Sequence, residues 1–189
     1  MSKETNKLID LAKQVGVENL VDPEYDSLVS TGEDVSSSLL AIALNSINIP
    51  SRSWRGWQIP IKTDSFHSNA KIEEIKTNQI INSFKEGVKV AVVSGFQGID
   101  QAGRITTLGR GGSDTSAVAI AAAIDAKRCD IYTDVSGIYT TDPRIKRNAS
   151  KLKKISFEEM LEMASLGANV LQTRACLLYT SPSPRDLST

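Results

Sequence analysis

The run at residues 106–116 (TTLGRGGSDTS) carries the strongest chemical signal in the sequence. Arg110 can bind a carboxylate or a phosphate through two parallel hydrogen bonds, and Asp114 can bind Mg²⁺ or orient a cationic partner. An apolar stretch follows and predicts a helix, whose first N–H groups attract anions. An ordinary turn before a capped helix is the alternative. Close backbone approach to a ligand is favoured by three glycines, Gly109, Gly111 and Gly112.

A second polar segment, residues 132–144 (YTDVSGIYTTDPR), follows a predicted strand. The strand ends of α/β proteins are where nucleotides bind. Asp134 could accept hydrogen bonds from a ribose or an adenine, Tyr139 could pack on a base, and Arg144 could reach a phosphate. A turn-rich loop without a ligand is the alternative, because the segment also contains the turn signals Gly and Asp-Pro.

Other candidate positions are isolated in the sequence. Glu33 lies in a polar stretch inside a predicted helix, where it either faces solvent or receives the ammonium group of a substrate. His67 is expected in a surface loop without a partner. Trp54 and Trp57 are expected in the core or in a subunit contact, because no basic and aromatic patch predicts a nucleic-acid platform.

The elements that must position these residues alternate between helices and strands. Their order predicts a doubly wound α/β sheet, with ligands at the carboxyl ends of the strands. The loop at 95–98 (GFQG) follows a buried strand and could approach a phosphate or form a simple turn. We predict helices at 4–15, 22–47, 77–86, 115–126 and from 156, strands within 51–70 and at 88–93 and 129–133, and a long loop at 94–112.

The predicted helix at 22–47 has three features. Asp22 and Pro23 indicate its start. The stretch at 30–33 is expected to interrupt it. Residues 36–47 are apolar on most sides and are therefore expected to be well buried.

Composition limits the function classes. The 189 residues are 40% hydrophobic and 23% charged. This composition predicts one soluble domain and a fragment at most. Lys and Arg total 22, as do Asp and Glu, so binding to nucleic acid or to an anionic membrane is not expected. Two cysteines without CxxC spacing and one histidine argue against a zinc site. Without a signal sequence, a cytoplasmic location is expected.

Taken together, these segments resemble the aspartate kinases of the amino acid kinase family. The resemblance extends from about Thr5 to Arg174. Residues 177–189 do not fit it and are interpreted as a flexible or foreign tail, which leaves 1–176 as part of a catalytic domain. The matching motifs are 30–33 (STGE), 56–58 (GWQ), 63–65 (TDS), 95–98 (GFQG), 106–116 and 133–144.

The resemblance implies an α/β fold, a three-layer α/β/α sandwich with a mostly parallel central sheet that is incomplete at both ends of the chain. It implies that ATP, with Mg²⁺, phosphorylates the β-carboxylate of L-aspartate to give 4-phospho-L-aspartate. This reaction begins the synthesis of lysine, threonine, methionine and diaminopimelate. The parent protein is expected to be a homo-oligomer.

The resemblance also assigns residues. Arg110 and Asp114 are the catalytic pair, Arg110 binding a substrate carboxylate and Asp114 organising the transfer centre. Glu33 meets the substrate ammonium group. Further substrate contacts are assigned to Thr5, Gly111, Gly112 and Ser113. The ATP site is assigned to Thr133, Asp134, Tyr139, Arg144, Asn169 and Val170.

The sequence departs from the family in three ways. It shows no opening Lys-Phe-Gly-Gly-Thr-Ser loop, Asn169 stands where the family usually has lysine, and no ACT domains follow. We therefore expect little or no turnover by the chain as it stands. Two alternatives remain, a catalytically incompetent chain that binds nucleotide or aspartate weakly, and an amino acid kinase with another acceptor.

Overall fold

The computed structural model describes residues 2–16, 22–109, 111–132, 137–141 and 145–166. Helices and strands are interleaved along this part of the chain. The helices are α1 (Ser2–Gln14), α2 (Pro23–Ser46), α3 (Asn78–Lys85), α4 (Gly112–Ala123) and α5 (Phe157–Ser165). The strands are β1 (Ser51–Trp54), β2 (Ile61–Thr63), β3 (Ile72–Ile75), β4 (Val90–Val93), β5 (Gln97–Ile99) and β6 (Ile105–Thr107).

The described strands form two sheets, which confirms the predicted α/β class. In the first, β1 and β4 pair in parallel, in register from Ser51 with Val90 to Trp54 with Val93. The second has the order β3-β2-β5-β6, in which β2 is parallel to β5 and the other pairs are antiparallel. The long loop predicted at 94–112 was therefore wrong, because β5 and β6 pair as a hairpin inside it.

The buried core joins both sheets to the helices. Its centre is a cluster of Trp54, Ile59, Ile61 and Ile80, each at most 2% exposed. The core position predicted for Trp54 is confirmed, whereas Trp57 is 46% exposed. Strand β4 is only partly buried along its length, not buried on both faces as its apolar sequence suggested.

Helix α2 begins as predicted and continues where a break was expected. The Asp22 side chain caps it by accepting a hydrogen bond from Glu24 N at 2.6 Å. The predicted interruption at 30–33 is wrong because the hydroxyls of Ser30 and Thr31 bond back to carbonyls within the helix. At 24 residues α2 is the longest described helix, and neither it nor any other helix in the described ranges could cross a membrane.

The buried face of α2 is polar and its apolar face is exposed. Only Val29 and Ala41 among its six buried residues are apolar side chains, the others being Asp26, Ser30, Gly32 and Ser37. Nine residues are two and a half turns, so Asp26 and Val35 lie on opposite faces. The expectation that 36–47 is buried was wrong, because Leu39, Leu40 and Ile42 are more than half exposed and no described segment covers them.

The later elements agree with the sequence in part. The capping box before α5 is confirmed, since Ser156 N donates to Glu159 Oε2 at 2.8 Å and Glu159 N to Ser156 Oγ at 3.2 Å. Helix α4 begins at Gly112, three residues earlier than predicted. The strand predicted at 129–133 was wrong for the described residues 129–132, which have no described strand beside them to share backbone hydrogen bonds, and residue 133 lies outside the described residues.

Strand β5 passes so close to β2 that only glycine fits at position 98. A Cβ at Gly98 would lie 2.4 Å from Thr63 Cγ2 and 2.7 Å from Ile61 O. Gly98→Ala is therefore expected to lower the free energy of unfolding by about 1–3 kcal/mol through overpacking. Urea unfolding measures this change. At Gly32 a Cβ meets only ordinary contacts, so Gly32→Ala is the control and should not destabilise the chain. Equal effects of both substitutions would contradict the packing argument.

Candidate functional site

The glycine turn, defined as Gly109, Gly111 and Gly112, leads into α4, and its first two members have left-handed backbone. Gly109 has φ of 74° and Gly111, which precedes the helix, has φ of 71°. Side chains are excluded at Gly112 as well, because a Cβ there would lie 2.8 Å from Leu108 Cβ and 2.9 Å from Phe96 Cδ2. The unusual backbone angles predicted for this run are thus present, and they end at the N–H groups of the first turn of α4.

Asp114 lies in that first turn and is partly buried. Burial raises the pKa of its carboxyl group. The Cys129 thiol also has a raised pKa, chiefly from burial and then from the negative charges of Asp130 and Asp114. The segment at 129–132 therefore lies within electrostatic reach of the start of α4. Ser113, next to Asp114, is exposed.

The segment at 95–98 connects the start of α4 to the middle of α2 through hydrogen bonds. Phe96 N donates to Ser116 Oγ on α4 at 3.1 Å. The next side chain, Gln97, is 1% exposed, and its Nε2 donates to Asp34 Oδ1 at 3.1 Å and to Ser30 O at 3.3 Å on α2. The prediction of a loop at 95–98 was wrong for residues 97 and 98, which belong to β5, and this segment ties the glycine-turn side of the site to the helix that carries Glu33.

Glu33 lies beside the contact between α1 and α2. A Cβ at the neighbouring Gly32 would lie 3.4 Å from Thr5 Oγ1, so the predicted substrate residue Thr5 packs against the residue that precedes Glu33. Glu33 is partly buried. Burial raises the pKa of its carboxyl group, and the neighbouring charge of Asp34 raises it further. This carboxylate is poorly solvated and would gain from a cationic partner.

Helix α2 also carries a buried carboxylate, Asp26, that the sequence analysis did not single out. Asp26 is 0% exposed and accepts from Thr107 N at 2.9 Å and from Thr107 Oγ1 at 2.6 Å. Ser68 N and Ser68 Oγ donate to it at 2.9 Å and 3.2 Å. His67 Nδ1 lies 3.0 Å from Asp26 Oδ2. The expectation that His67 has no partner was wrong, because the loop around it folds onto α2.

A spacing signal could have found Asp26. It stands seven residues before Glu33, which is two helical turns, so both lie on one face of α2. Ser30 and Ser37 share that face. A polar stripe on an otherwise apolar helix marks a buried polar contact surface, and Ser37 Oγ indeed lies 2.8 Å from Ser94 Oγ.

Among the remaining predicted site residues, one lies in the described part of the chain and six lie outside it. Tyr139 is described, and it forms an isolated antiparallel bridge with Lys151 in the segment before α5. The tail predicted at 177–189 is not described, so the boundary at residue 176 stays a prediction. The other positions outside the described residues are Arg110, Thr133, Asp134, Arg144, Asn169 and Val170.

Comparison with known proteins gives consistent matches. The model of the amino acid kinase family matches residues 2–181. The aspartate kinase of Stutzerimonas stutzeri (strain A1501) is 58% identical over 175 residues, which are 93% of this chain and 42% of that protein. The chain thus spans less than half the length of this relative.

Two solved structures show the same relationship. The crystal structure of E. coli aspartokinase III in complex with aspartate and ADP superposes with a TM-score of 0.78 at 35% identity, covering 92% of this chain and 39% of that one. Aspartate kinase from Synechocystis gives a TM-score of 0.75 at 46% identity, covering 93% of this chain and 29% of that one.

Proposed function

This chain belongs to the amino acid kinase family, and we propose that it forms part of a site where ATP phosphorylates the β-carboxylate of L-aspartate to give 4-phospho-L-aspartate. The observation that carries the proposal is the segment at 95–98, where the end of a loop enters β5 and ties the glycine turn before α4 to the helix of Glu33. An anion-binding turn and a desolvated carboxylate on one framework suit an acceptor with both carboxylate and ammonium groups.

The acceptor would be held at its charged ends. Glu33 would pair with the α-ammonium group, and Arg110 with a carboxylate in bidentate geometry. Thr5 packs against Gly32, which precedes Glu33, and Gly111, Gly112 and Ser113 line the start of α4, where backbone N–H groups can donate. The attacking carboxylate is already ionised at neutral pH, so the site needs no general base.

Catalysis would then consist of positioning and charge neutralisation. A carboxylate oxygen of aspartate attacks the γ-phosphorus of ATP, and ADP leaves with the electron pair of the broken bond. Asp114, in the first turn of α4, would organise this centre, while the Arg110 guanidinium would keep the acceptor in line.

Mg²⁺ fits the residues present. Within the described ranges, no group of three or more His, Cys, Asp or Glu side chains could hold a metal ion. Mg²⁺ does not require one, because it binds through one or two carboxylates together with substrate phosphates and water. Asp114 would be the carboxylate that holds it. When bound, the ion would neutralise charge on the phosphates of ATP.

We assign ATP to the loop that follows the 129–132 segment. Cys129 precedes that loop, and the Asp114 charge at the start of α4 contributes to the raised pKa of its thiol, which supports this assignment. The proposed ATP contacts are Thr133, Asp134, Tyr139, Arg144, Asn169 and Val170. The family relationship also leads us to propose a cytoplasmic homo-oligomer in amino-acid biosynthesis, with no nucleic-acid or membrane partner.

A hybrid kinase tests this function. In it, the 175-residue stretch of this chain that matches the Stutzerimonas stutzeri aspartate kinase replaces its counterpart in that enzyme. The rest of the enzyme is therefore present. ADP release is measured with ATP, Mg²⁺ and each candidate acceptor, including L-aspartate, L-glutamate and N-acetyl-L-glutamate. We expect turnover with L-aspartate. Turnover with another acceptor only, or nucleotide binding without turnover, would contradict the proposal.

Glu33→Gln is expected to separate binding from folding. Removing the charge should raise KM for aspartate at least about tenfold in the hybrid kinase, while KM for ATP changes little. The raised pKa of Glu33 means that the fold disfavours its charged form, so its contribution to stability falls as pH rises through that pKa. Glutamine carries no charge, so the free energy of unfolding at pH 7 should not fall.

The measurements for Glu33→Gln are steady-state kinetics in both substrates and urea unfolding at pH 7. Glu73→Gln is the matched control, because that carboxylate is exposed on β3. An equal rise in both KM values, or a clear loss of stability, would assign Glu33 a structural role instead.

A further inference from the structure

We propose that Asp26 is a positioning residue, which fixes the glycine turn relative to Glu33 and so sets the affinity for the acceptor. The inference rests on the proposed function, since it takes the turn and Glu33 as the two ends of the acceptor site. Asp26 itself contacts neither end. It acts through Thr107 and Ser68, the residues that donate hydrogen bonds to it.

Because Asp26 is buried, its hydrogen bonds with Thr107 and Ser68 are costly to break. A carboxylate without solvent contact is costly unless donors surround it. The Asp26 side chain is 0% exposed, and its oxygens accept two hydrogen bonds from Thr107 and two from the N–H and hydroxyl of Ser68. His67 adds a contact at 3.0 Å. Displacing either segment would therefore remove two hydrogen-bond donors from a charge in the protein interior.

Both segments that Asp26 holds lie directly against the glycine turn. Thr107 stands two residues before Gly109, and Leu108 between them is pinned by its N–H, which donates to Phe96 O at 2.9 Å. The Ser68 carbonyl packs on Gly109, where a Cβ would lie 2.8 Å from it. The start of the turn is thus held on two sides by groups bonded to one carboxylate.

Asp26 is connected to Glu33 by helix α2, which carries both residues. Asp26 and Glu33 lie on one face of this continuous helix, separated by seven residues. At the rise of an α-helix, this places them about 10 Å apart along the helix axis. The helix transmits the position of Asp26 to Glu33 without an intervening loop. The separation between Glu33 and the turn is therefore set at Asp26, and that separation decides which acceptor can reach both ends.

Asp26→Asn in the hybrid kinase tests the proposal. Asparagine keeps the shape, but its amide nitrogen cannot accept the hydrogen bonds that one carboxylate oxygen now receives. We expect KM for aspartate to rise about 10- to 100-fold, with KM for ATP within about twofold of the original value. Ile80→Val is the control, because it trims the core cluster and should lower Tm without changing either KM. An unchanged KM for aspartate, or equal rises in both KM values, would overturn the proposal.

A second pair of variants covers the case in which Asp26→Asn does not fold. Thr107→Val removes the hydroxyl that donates to Asp26 at 2.6 Å, and Thr107→Ser keeps it. We expect the valine variant to raise KM for aspartate about threefold or more, and the serine variant to stay near the original value. Equal values for the two variants would overturn the proposal.

Hydrogen exchange gives a readout that does not depend on catalysis. In the 189-residue chain without substrate, peptides covering 66–70 and 105–109 should exchange faster in Asp26→Asn than in the unsubstituted chain. Unchanged exchange in both peptides would overturn the positioning role. Failure of the unsubstituted hybrid to use aspartate would contradict the proposed function alone, because exchange reports only the linkage.

Discussion

Arg110→Ala in the hybrid kinase is expected to lower kcat/KM for aspartate by about 30- to 1000-fold. The substitution removes the proposed bidentate partner of a substrate carboxylate, which corresponds to about 2–4 kcal/mol of transition-state binding. The flanking Gly109 and Gly111 have left-handed φ angles of 74° and 71°, which glycine adopts without a contribution from the side chain at position 110. The loss should therefore appear in the kinetics with aspartate rather than in folding.

The specificity of this effect can be checked with two further variants. Arg110→Lys should restore only part of the activity, because an ammonium group lacks the planar fork of the guanidinium. Arg104→Ala removes an arginine that pairs with Glu24 near the β5–β6 turn, and it should leave kcat/KM nearly unchanged. Near-normal aspartate kinetics in Arg110→Ala would refute the assignment.

Asp114→Asn is expected to lower kcat about 100-fold while changing KM for aspartate by no more than a few fold. Asparagine keeps the size of the side chain and removes the partly buried charge in the first turn of α4. If Asp114 holds Mg²⁺, the Mg²⁺ concentration that gives half-maximal rate should also rise. The measurement is kcat as a function of Mg²⁺ at saturating ATP and aspartate.

Asp125→Asn is the matched control for Asp114→Asn. It removes an exposed carboxylate just beyond the other end of α4, where φ is 54°. Asparagine tolerates this backbone angle. The kcat and Mg²⁺ dependence of Asp125→Asn should match the unsubstituted hybrid. If Asp114→Asn kept its full kcat, Asp114 would not belong to the transfer centre.

Local features of the fold could be predicted because their causes lie within a few residues. The Asp22 cap, the capping box before α5 and the left-handed glycines before α4 each depend on neighbours in the sequence. The candidate site residues on α2 and α4 lie in contiguous motifs, and their roles stay predictions. Periodicity and turn chemistry are sufficient for such features.

Features that depend on distant segments could not be predicted. The partners of Asp26 lie 41 and 81 residues away, at His67 and Thr107, and no local pattern reveals them. The β5–β6 hairpin was missed for a different reason, since its strands of three residues each are too short for an alternating pattern to show. Dependence on distant segments also explains the strand expected at 129–133, because apolar sequence alone cannot supply the neighbouring strand that pairing requires.

In α2 the polar face is buried and the apolar face is exposed, and this arrangement constrains the order in which the chain can fold. Hydrophobic collapse acts first on apolar surface, and it would draw Val35, Leu39 and Ile42 inward, although they are exposed in the structure. The native orientation gains its advantage only after distant donors reach Asp26. Closing such long loops is slow, so we expect the docking of α2 to be a late step that limits the folding rate.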